Sequence, residues 1–227
     1  RSGRIWVGLS NAGINRLEPG TGEFTRYRFS GEMAQKGANQ VKTLLIDSAG
    51  TLWAGTVGAG LLRYNEEKDE FESFLIQSEG EDLDMFNAVY TLLEDSAGTL
   101  WVGTAKGLYI FDRAAAVFTP VFPKENKEDT KGSTATAVTA LRQDGTGMLW
   151  VGMEKNGLLR LDPASRQPLA YPLPAYDETA GVSSLLFDQS GVLWVGTYGG
   201  GLCRLAQAGA WADPAKAPFE CFQNRVS

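Results

Sequence analysis

Val41-Lys-Thr-Leu-Leu-Ile-Asp-Ser-Ala-Gly-Thr-Leu-Trp-Ala-Gly-Thr56 decides the fold. Val41 to Ile46 is an apolar run of strand-forming residues. Asp47-Ser-Ala-Gly50 is a turn, because aspartate bonds its own backbone and glycine accepts positive φ. Thr51 to Thr56 is a second strand. Outward from it, Val57-Gly-Ala-Gly60 is another turn, Leu61 to Asn65 a third strand, Glu66 to Asp69 a polar turn, and Glu70 to Leu75 a fourth strand. No helical period interrupts them.

The same unit recurs along the chain. Trp6, Trp53, Trp101, Trp150 and Trp194 lie 47, 48, 49 and 44 residues apart, each inside a strand such as Thr99-Leu-Trp-Val-Gly103 or Val192-Leu-Trp-Val-Gly196. A valine opens the first strand twelve residues earlier in the pairs Val41/Trp53, Val89/Trp101, Val138/Trp150 and Val182/Trp194. Ten residues after the tryptophan stands Arg16, Arg63, Arg160 or Arg204; the third unit has a shorter turn and Ile110 in that place. Four short antiparallel strands per unit, repeated at this period, are the blades of an all-β fold, the β-propeller.

The expected divisions are a partial blade 1 (1–30), blade 2 (39–75), blade 3 (87–122), blade 4 (136–173), blade 5 (180–223) and a stub of a next blade (224–227). Five repeats with frayed ends read as part of a seven-bladed ring; the alternative is five-bladed closure, with the C-terminal stub completing the first unit. Side chains alternate between strand faces, so Trp53 shares a face with Gly55, and Trp101 with Gly103. A bulky ring beside a bare glycine suits blade-on-blade packing, where a neighbouring backbone must come close. Asp47, Asp95, Asp144 and Asp188 read as turn residues. The repeat arginines read as surface residues that pair with nearby carboxylates at little net gain.

Composition excludes several functions. The chain has 227 residues, 43% of them hydrophobic, and a net charge of −6, so a nucleic-acid partner is not expected. It has no histidine. That removes histidine-dependent nucleophilic catalysis, histidine-bound metals and phospho-accepting histidine from these residues. No catalytic residue, metal site or cofactor is expected. No run of 18 apolar residues occurs, so membrane attachment would come through other parts of the polypeptide. Cys203 and Cys221 fall opposite one another in a hairpin that pairs like Tyr64 with Phe71, on the same face. They are either a disulfide or two packed thiols.

Binding residues are sought where the chain departs from its repeat. The charged link Lys124-Glu-Asn-Lys-Glu-Asp-Thr-Lys131, the insertion Ala206 to Pro218 with Trp211, and the varied turns after the tryptophan strand are such places. Turns and links at the mouth of a propeller channel are the usual seat of binding. The candidate ligand residues are Asn39, Gln40, Asn87, Lys106, Lys155, Asn156, Tyr198 and Asn224. Amides both donate and accept and so suit a hydroxyl-rich small molecule; the alternative is that these asparagines cap strand ends. Glu154 and the acids of Glu125 to Asp129 are the carboxylates nearest that mouth, too crowded into one or two blades to suggest a glycosidase pair.

Val89 to Gly103 (VYTLLEDSAGTLWVG) and Ser184 to Leu205 (SLLFDQSGVLWVGTYGGGLCRL) resemble the two-component regulator propeller repeat. The Asp-x-x-Gly-x-Leu-Trp piece is also similar to the Asp-box of sialidase propellers, without its full spacing. The first resemblance implies a periplasmic sensing module of a bacterial two-component sensor. It would sit beside further propeller and immunoglobulin-like domains of the same chain, ahead of a membrane helix and a histidine kinase or diguanylate cyclase output. It implies a homodimeric sensor and an oligosaccharide or similar solute as ligand. A protein-interaction scaffold and a propeller lyase are the competing readings.

Overall fold

In a computed structural model, residues 3–76, 87–122, 136–155, 157–173, 181–205, 214 and 217–222 are described. The charged link at 124–131, Trp211, Asn156 and the 224–227 stub with Asn224 lie outside them. The chain divides into two compact units. The first, residues 1–105 and 109–119, holds three sheets; the second, residues 106–108 and 120–227, holds the last two.

The first sheet is three-stranded: β1 (Ile5–Leu9), β2 (Gly13–Glu18) and β3 (Glu23–Tyr27). The helix α1 (Gly31–Gln35) follows. The second sheet is β4 (Val41–Ile46), β5 (Leu52–Thr56), β6 (Leu61–Asn65) and β7 (Glu70–Phe74). The third is β8 (Val89–Glu94), β9 (Leu100–Thr104), β10 (Gly107–Asp112) and β11 (Val117–Pro120). In the second unit, β12 (Val138–Gln143), β13 (Leu149–Met153), β14 (Leu158–Leu161) and β15 (Pro168–Tyr171) form one sheet. β16 (Val182–Phe187), β17 (Leu193–Thr197), β18 (Leu202–Leu205) and β19 (Phe219–Phe222) form the last. Every sheet is an antiparallel meander in chain order, the propeller blade of the sequence reading. The helix is the departure; at five residues it is too short to leave a periodic signature.

The Asp-x-x-Gly turn and the tryptophan are one device. In four sheets the aspartate's Oδ1 accepts the backbone N–H four residues on: Thr51 (2.8 Å), Thr99 (2.8 Å), Met148 (3.2 Å) and Val192 (3.0 Å). Its Oδ2 accepts the indole N–H six residues on: Trp53 (2.8 Å), Trp101 (2.7 Å), Trp150 (3.0 Å) and Trp194 (2.9 Å). One carboxylate thus closes the turn and satisfies the donor that a buried tryptophan would otherwise leave unpaired.

The repeat arginine completes it. Across strands it faces the tryptophan, as in Trp150↔Arg160 and Trp194↔Arg204, and its guanidinium lies over the ring at 5.6 Å for Arg16 on Trp6 and Arg160 on Trp150 and at 5.7 Å for Arg204 on Trp194. Arg160 also donates to Asp144 from Nε (3.0 Å) and Nη2 (2.8 Å). In the second sheet Arg63 turns to Glu72 and Phe74, and Arg113 of the third sheet covers Trp53 and reaches Asp47 at 3.3 Å. The expectation of surface arginines is therefore corrected for Arg16 and Arg160, whose side chains are only 13% and 15% exposed. Their charge is stacked on a ring and largely shielded from water, so removing the carboxylate partner would strand it at high cost.

The glycine beside the tryptophan is corrected too. A Cβ placed on Gly8, Gly55 or Gly152 would come within 2.5, 2.6 or 2.5 Å of the Cγ1 of Val41, Val89 or Val182. Those are the valines that open the next blade's first strand. Chiefly a side chain, rather than the expected backbone alone, fills the hole. The two recurrent residues are the halves of one contact, and around it Trp53, Leu61 and Leu100, or Trp150, Leu158, Leu193 and Val195, make the cores.

Candidate functional site

The ends of the blades where β4, β8, β12 and β16 begin are built from backbone hydrogen bonds between a link and a turn. In the first unit Gly13 N donates to Asn39 O (3.1 Å), Val57 N to Gln40 O (3.1 Å), Gly60 N to Asn87 O (3.1 Å) and Ala105 N to Ala88 O (3.0 Å). In the second, Glu154 N donates to Ala137 O (2.8 Å) and Tyr198 N to Gly181 O (2.9 Å). These bonds hold the variable turns against rigid strand ends.

The two asparagines of this register have structural work. The Asn39 side chain accepts from Phe29 N (3.0 Å) and donates to Phe29 O (2.9 Å). Asn87 is buried, and its Oδ1 accepts from Ile76 N (2.7 Å). Both amides tie the end of one blade to the start of the next, the strand-capping alternative. The link before β4 also carries α1, with a Glu32–Lys36 ion pair; Lys36 O sits so close to Gly58 that a side chain there would clash. The turn between β5 and β6 is thus covered.

The groups left exposed are different ones. Gln40 in the first unit, and Lys155 and Tyr198 in the second, are open to solvent. Lys106 is half-buried. Thr136 Oγ1 donates to Lys155 O (3.3 Å), so Lys155 is held by its backbone while its ammonium stays outside.

Four residues that the sequence reading missed lie one position below. The pairing of β4 with β5, β8 with β9, β12 with β13 and β16 with β17 skips a register after Val41, Val89, Val138 and Val182. The extra residues are Lys42, Tyr90, Thr139 and Ser183. A bulge re-aims a side chain without moving the ladder. Thr139 is committed to structure, with its Oγ1 at 2.5 Å from Val182 O and 3.1 Å from Gly152 O. Lys42 is exposed and has no ion pair among the described residues. The signal for these positions was present: between the constant valine and the leucines, the identity changes from Lys to Tyr to Thr to Ser.

Among the described residues no group of three or more potential metal ligands comes together, and no helix is long and apolar enough to cross a membrane. Glu154 is exposed, and Glu125 to Asp129 lie outside the described residues. Cys203 and Cys221 are joined in a disulfide between paired positions of β18 and β19.

Residues 85–106 and 178–199 match the model of the two component regulator propeller. Those two segments, within the third and fifth repeats, are the ones that resemble it. In fold it is similar to the extracellular domains of two putative hybrid two component systems from B. thetaiotaomicron. For BT4673 the TM-score is 0.73 at 20% identity, covering 98% of this chain and 26% of that one. For BT3049 the TM-score is 0.67 at 23% identity, covering 88% and 24%. A virginiamycin B lyase from Staphylococcus aureus gives a TM-score of 0.69 at 13% identity, covering 99% of this chain and 68% of that one. The chain thus spans about a quarter of the first two proteins' length. No curated protein matches it in sequence.

Proposed function

We propose that these regulator propeller repeats are the solute-sensing part of a bacterial two-component sensor, placed outside the cytoplasm, with an oligosaccharide or a similar hydroxyl-rich molecule as ligand. The observation that carries this reading is the repeat match at 85–106 and 178–199, on a fold like that of extracellular sensor domains. The Cys203–Cys221 bridge supports an oxidising compartment, where such bonds persist. Binding falls to the loop ends, and each unit is taken by itself: Gln40 and Lys42 offer an amide and an ammonium in the first, Lys155 and Tyr198 an ammonium and a phenol in the second. Occupancy would shift packing against neighbouring domains or a dimer mate, and that differential contact is the signal.

The role is recognition without turnover. The lyase of similar fold was inactivated by replacing a histidine, a residue type this chain lacks. The test is calorimetric titration with an oligosaccharide panel. One sugar class is expected to bind, and either Lys42→Ala, if the first unit holds it, or Tyr198→Ala, if the second does, to weaken it about 10-fold, the loss of one good polar contact. Binding that is indifferent to all four loop-end residues would overturn the placement of the site, and no binding by any solute would overturn the sensing role.

A further inference from the structure

The third blade lacks the repeat arginine, with Ile110 in its place, and the second blade turns its own Arg63 away to Glu72 (2.6 Å) and Phe74. Arg113, just beyond β10, stands between the two. Its guanidinium lies 5.9 Å from the centre of the Trp53 ring. Its Nε is 3.3 Å from Asp47 Oδ2, the oxygen that accepts the Trp53 indole N–H. Its other two nitrogens stay with the third blade: Nη1 donates to Gly98 O (2.7 Å) and Nη2 to Glu94 Oε1 (2.7 Å). Glu94 crosses back in turn. Its Oε2 accepts from Ser48 N (2.6 Å) and its Oε1 from Ser48 Oγ (3.1 Å), in the turn that Asp47 opens. The Asp47 side chain is 2% exposed and that of Glu94 13%. In the first, fourth and fifth blades, by contrast, the arginine covers the tryptophan of its own sheet.

We infer that Arg113 is an arginine exchanged between repeats, and that with Glu94 it straps the second and third blades into one body that opens as a unit. The exchange is reciprocal. If the β10–β11 hairpin opens alone, the guanidinium leaves a carboxylate almost sealed from water. If the 47–50 turn opens alone, Glu94 loses both serine donors and Arg113 loses its ring. Either way a shielded charge is left without its partner, which costs far more than parting two exposed charges. Opening both blades together puts all these groups in water and strands none, so the pair is the cooperative unit. The strapped strands β4 and β8 carry Lys42 and Tyr90 toward their other ends, so the strap also fixes how far apart those two positions stand. The inference rests on side-chain geometry and is independent of the solute reading.

Hydrogen exchange of the indole N–H groups, followed by NMR in the 227-residue chain, tests it. Trp53 reports the second blade, Trp101 the third and Trp150 the fourth. Trp53 and Trp101 are expected to exchange at matching rates and to stay matched as low concentrations of urea are added. Arg113→Met keeps the apolar stem and removes the charge. Trp53, in the blade that does not carry the change, should then exchange at least about 10-fold faster and part from Trp101, while Trp150 is unmoved. Glu94→Gln keeps the shape and should act in the same direction by a smaller factor, which covers the case of an Arg113→Met chain that folds poorly. Adding Ile110→Arg to Arg113→Met returns an arginine to the third blade's own place and should leave Trp53 fast. Trp53 unchanged while Trp101 speeds up would make Arg113 a residue of the third blade alone, and equal acceleration of all three indoles would make the loss global. Trp53 and Trp101 still matched in Arg113→Met, or unmatched in the unaltered chain, would show that Arg113 does not couple the two blades. Each of these results overturns the inference.

Discussion

Removing the Asp144 carboxylate tests the Asp–Trp–Arg device where it is most enclosed. Its side chain is fully buried beside Arg160. It accepts from Trp150 Nε1 (3.0 Å), Met148 N (3.2 Å), Thr146 N (2.9 Å), Thr146 Oγ1 (2.5 Å) and Arg160 (3.0 and 2.8 Å). Burial opposes its ionisation, but the bonds from Thr146, Arg160 and Trp150 outweigh that and hold its pKa below the usual carboxylate value. Asp144→Ala leaves a buried indole N–H unpaired, about 1–3 kcal/mol, and strands a shielded guanidinium; breaking a buried pair from one side costs about 3–5 kcal/mol. The two overlap, so the expected loss is about 4 kcal/mol, or roughly 10 °C in Tm for a chain of this size. Urea unfolding followed by far-UV circular dichroism measures it. Asp144→Asn keeps one acceptor and should lose about half as much. Combined with Trp150→Phe, the double-mutant cycle should show a coupling of about 1–2 kcal/mol. A loss below about 1 kcal/mol for Asp144→Ala, or strict additivity with Trp150→Phe, would refute the shared-acceptor argument.

Four further outcomes are expected. Ala116 (φ 56°) and Arg166 (φ 57°) occupy the left-handed position that Gly22 holds in the first sheet's turn, so Ala116→Gly and Arg166→Gly should each raise stability by about 0.5–1 kcal/mol in urea titrations. Gly152→Ala drives a methyl into Val182 and should lower stability by about 1–3 kcal/mol. With no histidine, Tm should be flat from about pH 5.5 to 9. Below that it falls: hydrogen bonds from Tyr27 and Tyr64 hold Asp69 below its ordinary pKa, as those of Trp194 and Val192 hold Asp188, and stability from a lowered carboxylate pKa is lost as pH drops through the folded value. Above pH 10 it falls again, because burial and the bond to Asp69 raise Tyr27, and a raised folded pKa loses its contribution as pH climbs past the unfolded one. Reducing Cys203–Cys221, which spans 18 residues, should cost about 3 kcal/mol by freeing that loop in the unfolded chain, seen as a lower Tm under dithiothreitol.

The blade order and the cysteine pairing were legible because they depend on short-range register: turn residues at fixed offsets, and hairpins whose pairing sums are constant. The Asp–Trp bond was half legible. The six-residue interval recurs four times, yet each residue alone has a sufficient local reading, one as turn and one as core. The Gly–Val contact joins residues of successive repeats, such as Gly55 and Val89, and no local rule links them. At the candidate site Asn39 and Asn87 drew notice because amides suit ligands, but the same chemistry suits the backbone of Phe29 and Ile76, and proximity decided. Lys42 was passed over because a bulge is a slip in pairing between two strands and leaves no trace in either one alone.

The most direct test of the sensing account is a thermal-shift screen of the chain against oligosaccharides, with each sugar recovered and weighed by mass spectrometry. The account predicts that one class raises Tm and is recovered intact. A sugar recovered cleaved, or no shift with any solute, would contradict it.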